Sequence, residues 1–202
     1  MKIQRFEGVE DYGDRTLHLG GYSEKKQTYR SIKLLILSVL CLCVLAALQT
    51  TLLSRLPVPL LSPGAPSLCL LFTLAAGYVF GEKEGGVCGF AGGIAFECIT
   101  MEPLFGGITV WPLIYGVLGY VTGALSKKVL AGNLPSFLVY AAVGALAEVG
   151  CLTAITCLHL GYFPPAPYFL QGSLPGLIWT LLLSPLMYLL LWAGKRLFDR
   201  NI

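Results

Sequence analysis

The stretch LLILSVLCLCVLAALQTTLL, residues 34–53, has no charged side chain between Lys33 and Arg55. Twenty residues in one helix extend about 30 Å, which matches the hydrocarbon core of a bilayer. Further apolar blocks alternate with short breaks through the remainder of the chain. The sequence therefore predicts an all-α, polytopic membrane helix bundle.

The overall composition agrees with this fold class. The chain has 202 residues, of which 55% are hydrophobic and only 12% are charged. Soluble domains carry about 25% charged residues, so an ordinary soluble enzyme and a disordered chain are both disfavoured. Residues 1–33 are different, because they hold twelve of the 25 charged side chains. We interpret them as a polar cytoplasmic segment that is disordered, forms a surface helix or acts as a docking arm.

The apolar blocks predict about six transmembrane helices. They cover 34–54, 66–81, 86–101, 106–125, 134–158 and 173–194, within a bundle over 34–196 that is followed by a short cytoplasmic tail, 197–202. The second and third spans are short, and such helices cross a bilayer only by local thinning or by packing inside a bundle. Five spans, or one re-entrant pair, is the alternative.

The lysines and arginines predict the orientation of the bundle. If the six spans alternate, thirteen basic residues fall on one side of the membrane and only one, Arg55, on the other. Because basic residues accumulate on the cytoplasmic side, both termini are predicted to lie in the cytoplasm. The net charge of +3 is accounted for by loops that face anionic lipid, so we predict no nucleic-acid partner.

The glycines repeat every four residues, a spacing that places them on one helix face. Small residues on one face let two helix backbones approach closely in a membrane. The pattern has two interpretations, tight packing inside the bundle or a face left free for a partner helix. The candidate partner-packing face consists of Gly81, Gly85, Gly89, Gly93, Gly119 and Gly123.

Two acidic residues fall inside predicted spans, Glu97 in the third and Glu148 in the fifth. A charged side chain at the bilayer centre costs about 2.5–3.5 kcal/mol on insertion scales, so both carboxyls should face the bundle interior or a wet cavity. Each is a candidate intramembrane polar site. The alternative is a structural role, in which a neutral carboxyl bonds the helix backbone or a nearby Ser or Thr.

The sequence contains no pattern typical of a cofactor, metal or catalytic site. The seven cysteines form no CxxC pair and lie in predicted spans, where cysteine behaves as a small hydrophobe. Phosphate loops, GxSxG elbows and HExxH motifs are missing. We therefore predict a protein that is not an enzyme and binds no cofactor or metal.

Several segments follow one another in a familiar order. They are LQTTL at 48–52, PSLCLL at 66–71, GEKEGGVCGFAGG at 81–93, Glu97, LIYGVLGY at 113–120, Pro185 and Lys195 with Arg196. This order resembles the MreD family of bacterial rod shape-determining membrane proteins over roughly residues 45–200. MreD-like sequences often carry Asp where this chain has Ser67 and Glu97, so the carboxylate is kept only at the second position.

The resemblance implies a scaffold of the cell-elongation machinery in the bacterial cytoplasmic membrane. MreD-like proteins bind MreC and act with RodA-type and transpeptidase wall synthases, and indirectly with MreB, in side-wall peptidoglycan synthesis. Their fold is similar to that of the substrate-binding S subunits of energy-coupling-factor vitamin transporters. A subunit of that kind is the alternative function, although the Ala-x-x-x-Ala face of such subunits is missing because Ala46 and Ala47 are adjacent.

Overall fold

The computed structural model describes residues 36–51, 66–100, 110–126, 133–163 and 173–200. These residues contain six helices and no strand, which confirms the all-α class for this part of the chain. The helices are α1 (Ile36–Thr51), α2 (Leu68–Phe80), α3 (Glu82–Thr100), α4 (Trp111–Ser126), α5 (Leu134–Leu160) and α6 (Leu174–Arg200). The predicted polar segment, 1–33, lies outside the described residues. Helix α6 continues to Arg200, so the predicted tail, 197–202, is helical over 197–200.

The described residues from Ser38 onward belong to one compact unit, in which helices α2 to α6 alternate in direction along the chain. The start of α2 is bonded to Glu148, in the second half of α5, and to Thr180, early in α6. Tyr78, near the end of α2, packs instead on Phe137 early in α5 and on Tyr188 late in α6. Helix α5 is therefore antiparallel to α2, and α6 is parallel to it.

Helix α2 forms the centre of the unit. Its sequence, LCLLFTLAAGYVF, is apolar around the whole circumference, and such a helix needs neighbours on every side. All its residues from Leu68 to Tyr78 are buried, and it contacts α3, α4, α5 and α6. Leu42 and Ala46 of α1 complete the same core.

Gly81 is the single residue between α2 and α3. Its φ of 124° lies in the region that side chains disfavour, and its N–H donates to the Gly77 carbonyl oxygen at 3.0 Å. The chain reverses there, and the acidic residues Glu82 and Glu84 follow in the first turn of α3, where they complement the helix dipole. As a result α3 ends beside the start of α2.

The outer faces of the bundle are strongly apolar. Large hydrophobic side chains are exposed on α1 and on every helix from α3 to α6, for example Leu40, Phe90, Val117, Val143 and Leu186. Two stretches among the described residues, Leu134–Leu158 and Leu174–Arg196, are long and apolar enough to cross a membrane.

Candidate functional site

The predicted glycine face lies where α3 crosses α4. A methyl group added to Gly85 would lie 2.5 Å from the carbonyl oxygen of Gly119, far inside van der Waals contact. Side chains on Gly89 and Gly93 would overlap the α4 backbone, the former at the Tyr115 carbonyl. The two helices therefore touch backbone to backbone, and only glycine fits between them.

The other two glycines of the face serve the same packing. A methyl group on Gly123 would lie 2.5 Å from the Cα of Glu82, and Gly81 makes the turn before α3. Of the two interpretations of the glycine spacing, the structure shows tight packing inside the bundle. The face is occupied by α3 against α4, so a partner helix would need another surface.

Glu148 is the centre of a buried polar network that joins three helices. Its Oε1 accepts hydrogen bonds from Ser67 Oγ at 2.6 Å and from Tyr115 OH at 2.5 Å. Ser67 precedes α2, Tyr115 belongs to α4 and Glu148 belongs to α5. Both hydroxyl groups are on buried residues, so the carboxylate replaces the water that these donors would otherwise need.

Side chains from two further helices cap the start of α2. Oε1 of the buried Gln49, on α1, accepts from the N–H of Leu68 at 2.9 Å and from that of Cys69 at 3.4 Å. Oγ1 of Thr180, on α6, accepts from the N–H of Ser67 at 2.9 Å. The first N–H groups of a helix have no intrahelical partner, and here other helices supply it.

Glu148 retains accessible surface, in contrast to its hydrogen-bond partners. Ser67, Tyr115 and Thr180 are buried, whereas Glu148 is only partly buried although it lies on the inner face of α5 beside the buried Ala145. No donor to its second oxygen, Oε2, occurs among the described residues.

The pair of Ser67 and Glu148 has one feature of a nucleophile with its base, a hydroxyl bonded to a carboxylate. Acyl transfer also needs N–H donors aimed at the developing oxyanion. The N–H groups nearest the Ser67 hydroxyl are already bonded, to Gln49 and Thr180. These N–H groups at the start of α2 are therefore not free to bind an oxyanion beside this hydroxyl.

The second predicted acid, Glu97, lies apart from these hydrogen bonds. It is partly buried near the end of α3, and its buried Oε2 has no hydrogen-bond partner among the described residues. Its neighbour Phe96 packs on the rings of Trp111 and Tyr115 at centroid distances of 5.2 and 5.9 Å. Within the described part of the chain no hydrogen bond joins the carboxyl groups of Glu97 and Glu148, so the two acids do not form one site there.

No family model matches this chain, and no curated protein or solved structure matches it. At the two positions where MreD-like sequences often carry Asp, the structure shows different surroundings. Ser67 has no carboxyl group but donates a hydrogen bond to the carboxyl group of Glu148, on α5. Glu97 has a carboxyl group of its own, near the end of α3. The start of α2 therefore has an acidic neighbour although position 67 is a serine.

The opposite end of the bundle is aromatic and basic. The Tyr78 ring packs on Phe137 at 5.5 Å and on Tyr188 at 5.9 Å. Lys195 Nζ donates to the Val79 carbonyl oxygen at 2.8 Å, near the end of α2 where the helix dipole is negative. The hydrogen bonds to Glu148 and the ammonium group of Lys195 thus lie at opposite ends of the bundle.

Sequence reasoning identified part of this site. It singled out Glu148 and noted Ser67, but it had no reason to connect either with Tyr115 or Thr180. The described residues contain no group of three His, Cys, Asp or Glu side chains that could hold a metal ion. The shortness of α2 could have indicated the site, because the N–H groups at the start of a short buried helix need acceptors from other helices.

Proposed function

We propose that this chain is a non-enzymatic, multi-pass scaffold of the bacterial cell-elongation machinery in the cytoplasmic membrane. In this proposal it binds an MreC-like partner and helps organise RodA-type and transpeptidase wall synthases, with MreB engaged indirectly. Six spans and two cytoplasmic termini belong to the proposal. It extends the sequence resemblance to the MreD family and gains support from the bundle described above.

The observation that carries the membrane part is the contrast between α2 and the helices around it. Helix α2 is enclosed, whereas the surrounding helices expose large hydrophobic side chains such as Leu40, Val117, Val143 and Leu186. Soluble monomers rarely expose contiguous apolar surface on this scale. A lipid bilayer accommodates apolar faces on every side of a helix bundle.

The shortness of α2 also supports an intramembrane position. Its 13 residues extend about 20 Å, less than the thickness of about 30 Å of a hydrocarbon core. An end at that depth would leave unpaired N–H groups in lipid, each of which costs several kcal/mol. Gln49 and Thr180 provide the acceptors that such a position demands.

The basic end of the bundle supports the proposed orientation. Lys83 at the start of α3 and Lys195 late in α6 lie at the same end, because α3 begins where α2 stops and Lys195 is bonded to Val79. The Arg196 guanidinium lies 4.1 Å from the centre of the exposed Trp192 ring. Tryptophan and basic residues together are typical of the cytoplasmic interface.

The test is an affinity purification of the tagged chain from solubilised membranes of a bacterium that expresses it, with mass spectrometry of the recovered proteins. We expect an MreC-like protein and wall synthases. The Gly89→Leu variant should lose these partners, because the new side chain disrupts the packing of α3 on α4. Gly150→Leu is the matched control, because an added Cβ at this position of α5 meets nothing within 4 Å. Recovery of transporter coupling and ATPase subunits without wall proteins would refute the scaffold.

A second candidate is the substrate-binding subunit of an energy-coupling-factor vitamin transporter. The convergence of Gln49, Ser67, Tyr115, Glu148 and Thr180 at one end of the bundle favours it, because small-molecule sites use a few convergent polar groups. Against it, most of these groups are bonded to one another. The same purification separates the two candidates by the partners recovered.

A further inference from the structure

Helix α6 has one exposed stripe along its second half, which we call the α6 stripe. Its residues follow one another at intervals of three or four positions, so they lie on one face of the helix. All of them are exposed: Leu182, Leu186, Leu189, Trp192 and Arg196. The stripe is therefore apolar except at its last residue, which adds a positive charge.

The charge at the end of the α6 stripe is not used inside the bundle. Lys195, the residue before it, donates to the Val79 carbonyl oxygen, whereas the Arg196 guanidinium lies 4.1 Å from the centre of the Trp192 ring. Among the side chains that the structure describes, none forms an ion pair with Arg196. A guanidinium that contacts an aromatic ring keeps N–H donors for an anion.

The α6 stripe is as long as one leaflet of a bilayer. Leu182 and Arg196 are fourteen positions apart, which corresponds to about 21 Å along a helix. Half of a bilayer with its headgroup region is about 20–22 Å thick. With the guanidinium at the level of the headgroups, the leucines lie beside acyl chains of the same leaflet, and Trp192 lies at the interface, where tryptophan is enriched.

A phosphodiester is the anion that fits this arrangement. Arginine binds two phosphate oxygens at once through parallel N–H donors. Phospholipids carry their phosphate at the headgroup level, and basic residues at the cytoplasmic surface attract lipids with a net negative charge. A zwitterionic lipid brings its own cation beside the phosphate, so it gains less from the guanidinium.

We propose that the α6 stripe binds one anionic phospholipid, with the phosphate on Arg196 and an acyl chain along Leu182, Leu186 and Leu189. Trp192 is a positioning residue, which holds the guanidinium over the stripe. The inference rests on the membrane part of the proposed function and does not depend on the scaffold role.

Lys83 provides a matched comparison on another helix. It is exposed at the same end of the bundle, and exposed apolar residues such as Val87 and Phe90 follow it on α3. Its two neighbours in the first turn are acidic, Glu82 and Glu84. Two negative charges beside one positive charge repel an anionic headgroup, so we expect no selective lipid at this position.

The test counts lipids bound to the purified full-length chain by native mass spectrometry. The protein is released from neutral detergent micelles after titration with phosphatidylglycerol or phosphatidylcholine that have the same acyl chains. Each bound lipid adds its own mass, so the titrations give the two dissociation constants. We expect the first phosphatidylglycerol to bind severalfold more tightly than the first phosphatidylcholine.

Substitutions locate this preference. Arg196→Gln should abolish it, whereas Lys83→Gln, which removes the same charge at the same end of the bundle, should keep it. Trp192→Leu should weaken phosphatidylglycerol binding severalfold, and Trp192→Tyr should restore most of the affinity because it keeps an aromatic face for the guanidinium. Asp199→Asn should not weaken binding, although Asp199 is the acid nearest to Arg196 in the sequence.

Free glycerol 1-phosphate separates a lipid from a soluble anion, since it has the phosphate without the acyl chains. We expect an excess of it to leave the lipid bound. Complete displacement would identify a site for soluble phosphates and overturn the proposal. Arg196→Gln that keeps the lipid preference but loses protein partners from membranes would assign the residue to a protein contact, and would also overturn it.

The remaining outcomes distinguish this inference from the proposed function. Equal binding of the two lipids to the wild type overturns the anionic site alone, because bound lipid still agrees with a membrane position. A preference that survives in Arg196→Gln, or that Lys83→Gln abolishes as well, also overturns it. If neither lipid stays bound, the membrane part of the proposed function fails together with this site.

Discussion

Helix α4 is joined to α3 and to α5 by opposite means. Against α3 it presents glycine, so that Gly85 and Gly119 bring the two backbones together with no side chain between them. Against α5 it makes few direct contacts, and the hydrogen bond from Tyr115 to Glu148 links the two helices. One interface depends on shape along its whole length, and the other depends on a single polar bridge.

Because of this difference, the two interfaces should respond differently to amino-acid substitutions. A close backbone contact has no room to rearrange, so any added side chain forces the helices apart. A polar bridge tolerates changes of shape but not the loss of a partner, because a buried donor is left unsatisfied. Five substitutions test this contrast, each read as the free energy of unfolding in mixed micelles.

The largest effect is expected for Gly89→Leu. The new side chain would meet the backbone of α4 at Tyr115, and we expect a loss of about 3 kcal/mol or more, or failure to fold. Gly150→Leu is the matched control, since a Cβ at that position meets nothing within 4 Å. Equal stability of the two variants would show that α3 and α4 are not in backbone contact.

Glu148→Ala should have the next largest effect. It removes the acceptor that the Ser67 and Tyr115 hydroxyls share, and since their oxygens lie 3.2 Å apart, one hydroxyl can then donate to the other. One buried donor without a partner, together with the lost packing of the side chain, costs about 2–3 kcal/mol. Glu148→Gln keeps an acceptor oxygen and should lose less. If the alanine variant is as stable as the wild type, the network does not hold α4 and α5 together.

Tyr115→Phe should cost about 1–2 kcal/mol, because it removes one donor and leaves the ring packing on Phe96 intact. A double-mutant cycle with Glu148→Gln sharpens the comparison. Coupling should be clear for this pair and near zero for Tyr115→Phe combined with Gly150→Leu, whose sites share no contact. Additive effects throughout would contradict a direct bridge.

Lys195→Met tests the far end of α2, away from both interfaces. It removes the ammonium that bonds the Val79 carbonyl but keeps much of the aliphatic stem. We expect a loss of about 0.5–1 kcal/mol, typical of a cation at a helix C-terminus. Lys195→Arg should recover most of it, and a loss as large as that of Glu148→Ala would mean that both ends matter equally.

Glu97→Gln should have the smallest effect, within about 0.5 kcal/mol, since it keeps the shape of the side chain and breaks no hydrogen bond to a described residue. The measurement is paired with partner recovery from membranes. Stable protein with a full set of partners is the expected result. Complete loss of function with unchanged stability would show that the charge of Glu97 is required.

Much of the fold was accessible from the sequence because it depends on composition and spacing. Uncharged apolar blocks predicted the helices, and each of the six described helices overlaps one predicted span, with the largest differences at the start of α4 and the end of α6. The predicted third span starts at 86, whereas α3 starts at Glu82, because charged residues favour a loop over a membrane span. Their place in the first helical turn, after the turn at Gly81, is favoured by the dipole.

The partners of each element were harder to predict. Glycine spacing indicates a face but not its occupant, so Gly89 could equally have met a partner helix. The network at Glu148 joins residues far apart in the chain, such as Ser67 and Thr180, separated by 113 positions. Periodicity carries no information about which distant side chain satisfies a given N–H group.

The capping of α2 has a consequence for the order in which the molecule can be completed. Synthesis passes Leu68 early, but the acceptor for the preceding N–H belongs to Thr180, near the end of the chain. Until the ribosome has delivered the sixth helix, the second helix has an unfinished start and no full enclosure. Helix α2 is therefore synthesised early but is fully enclosed only when α6 is present, and a truncated chain would expose it to quality-control proteases.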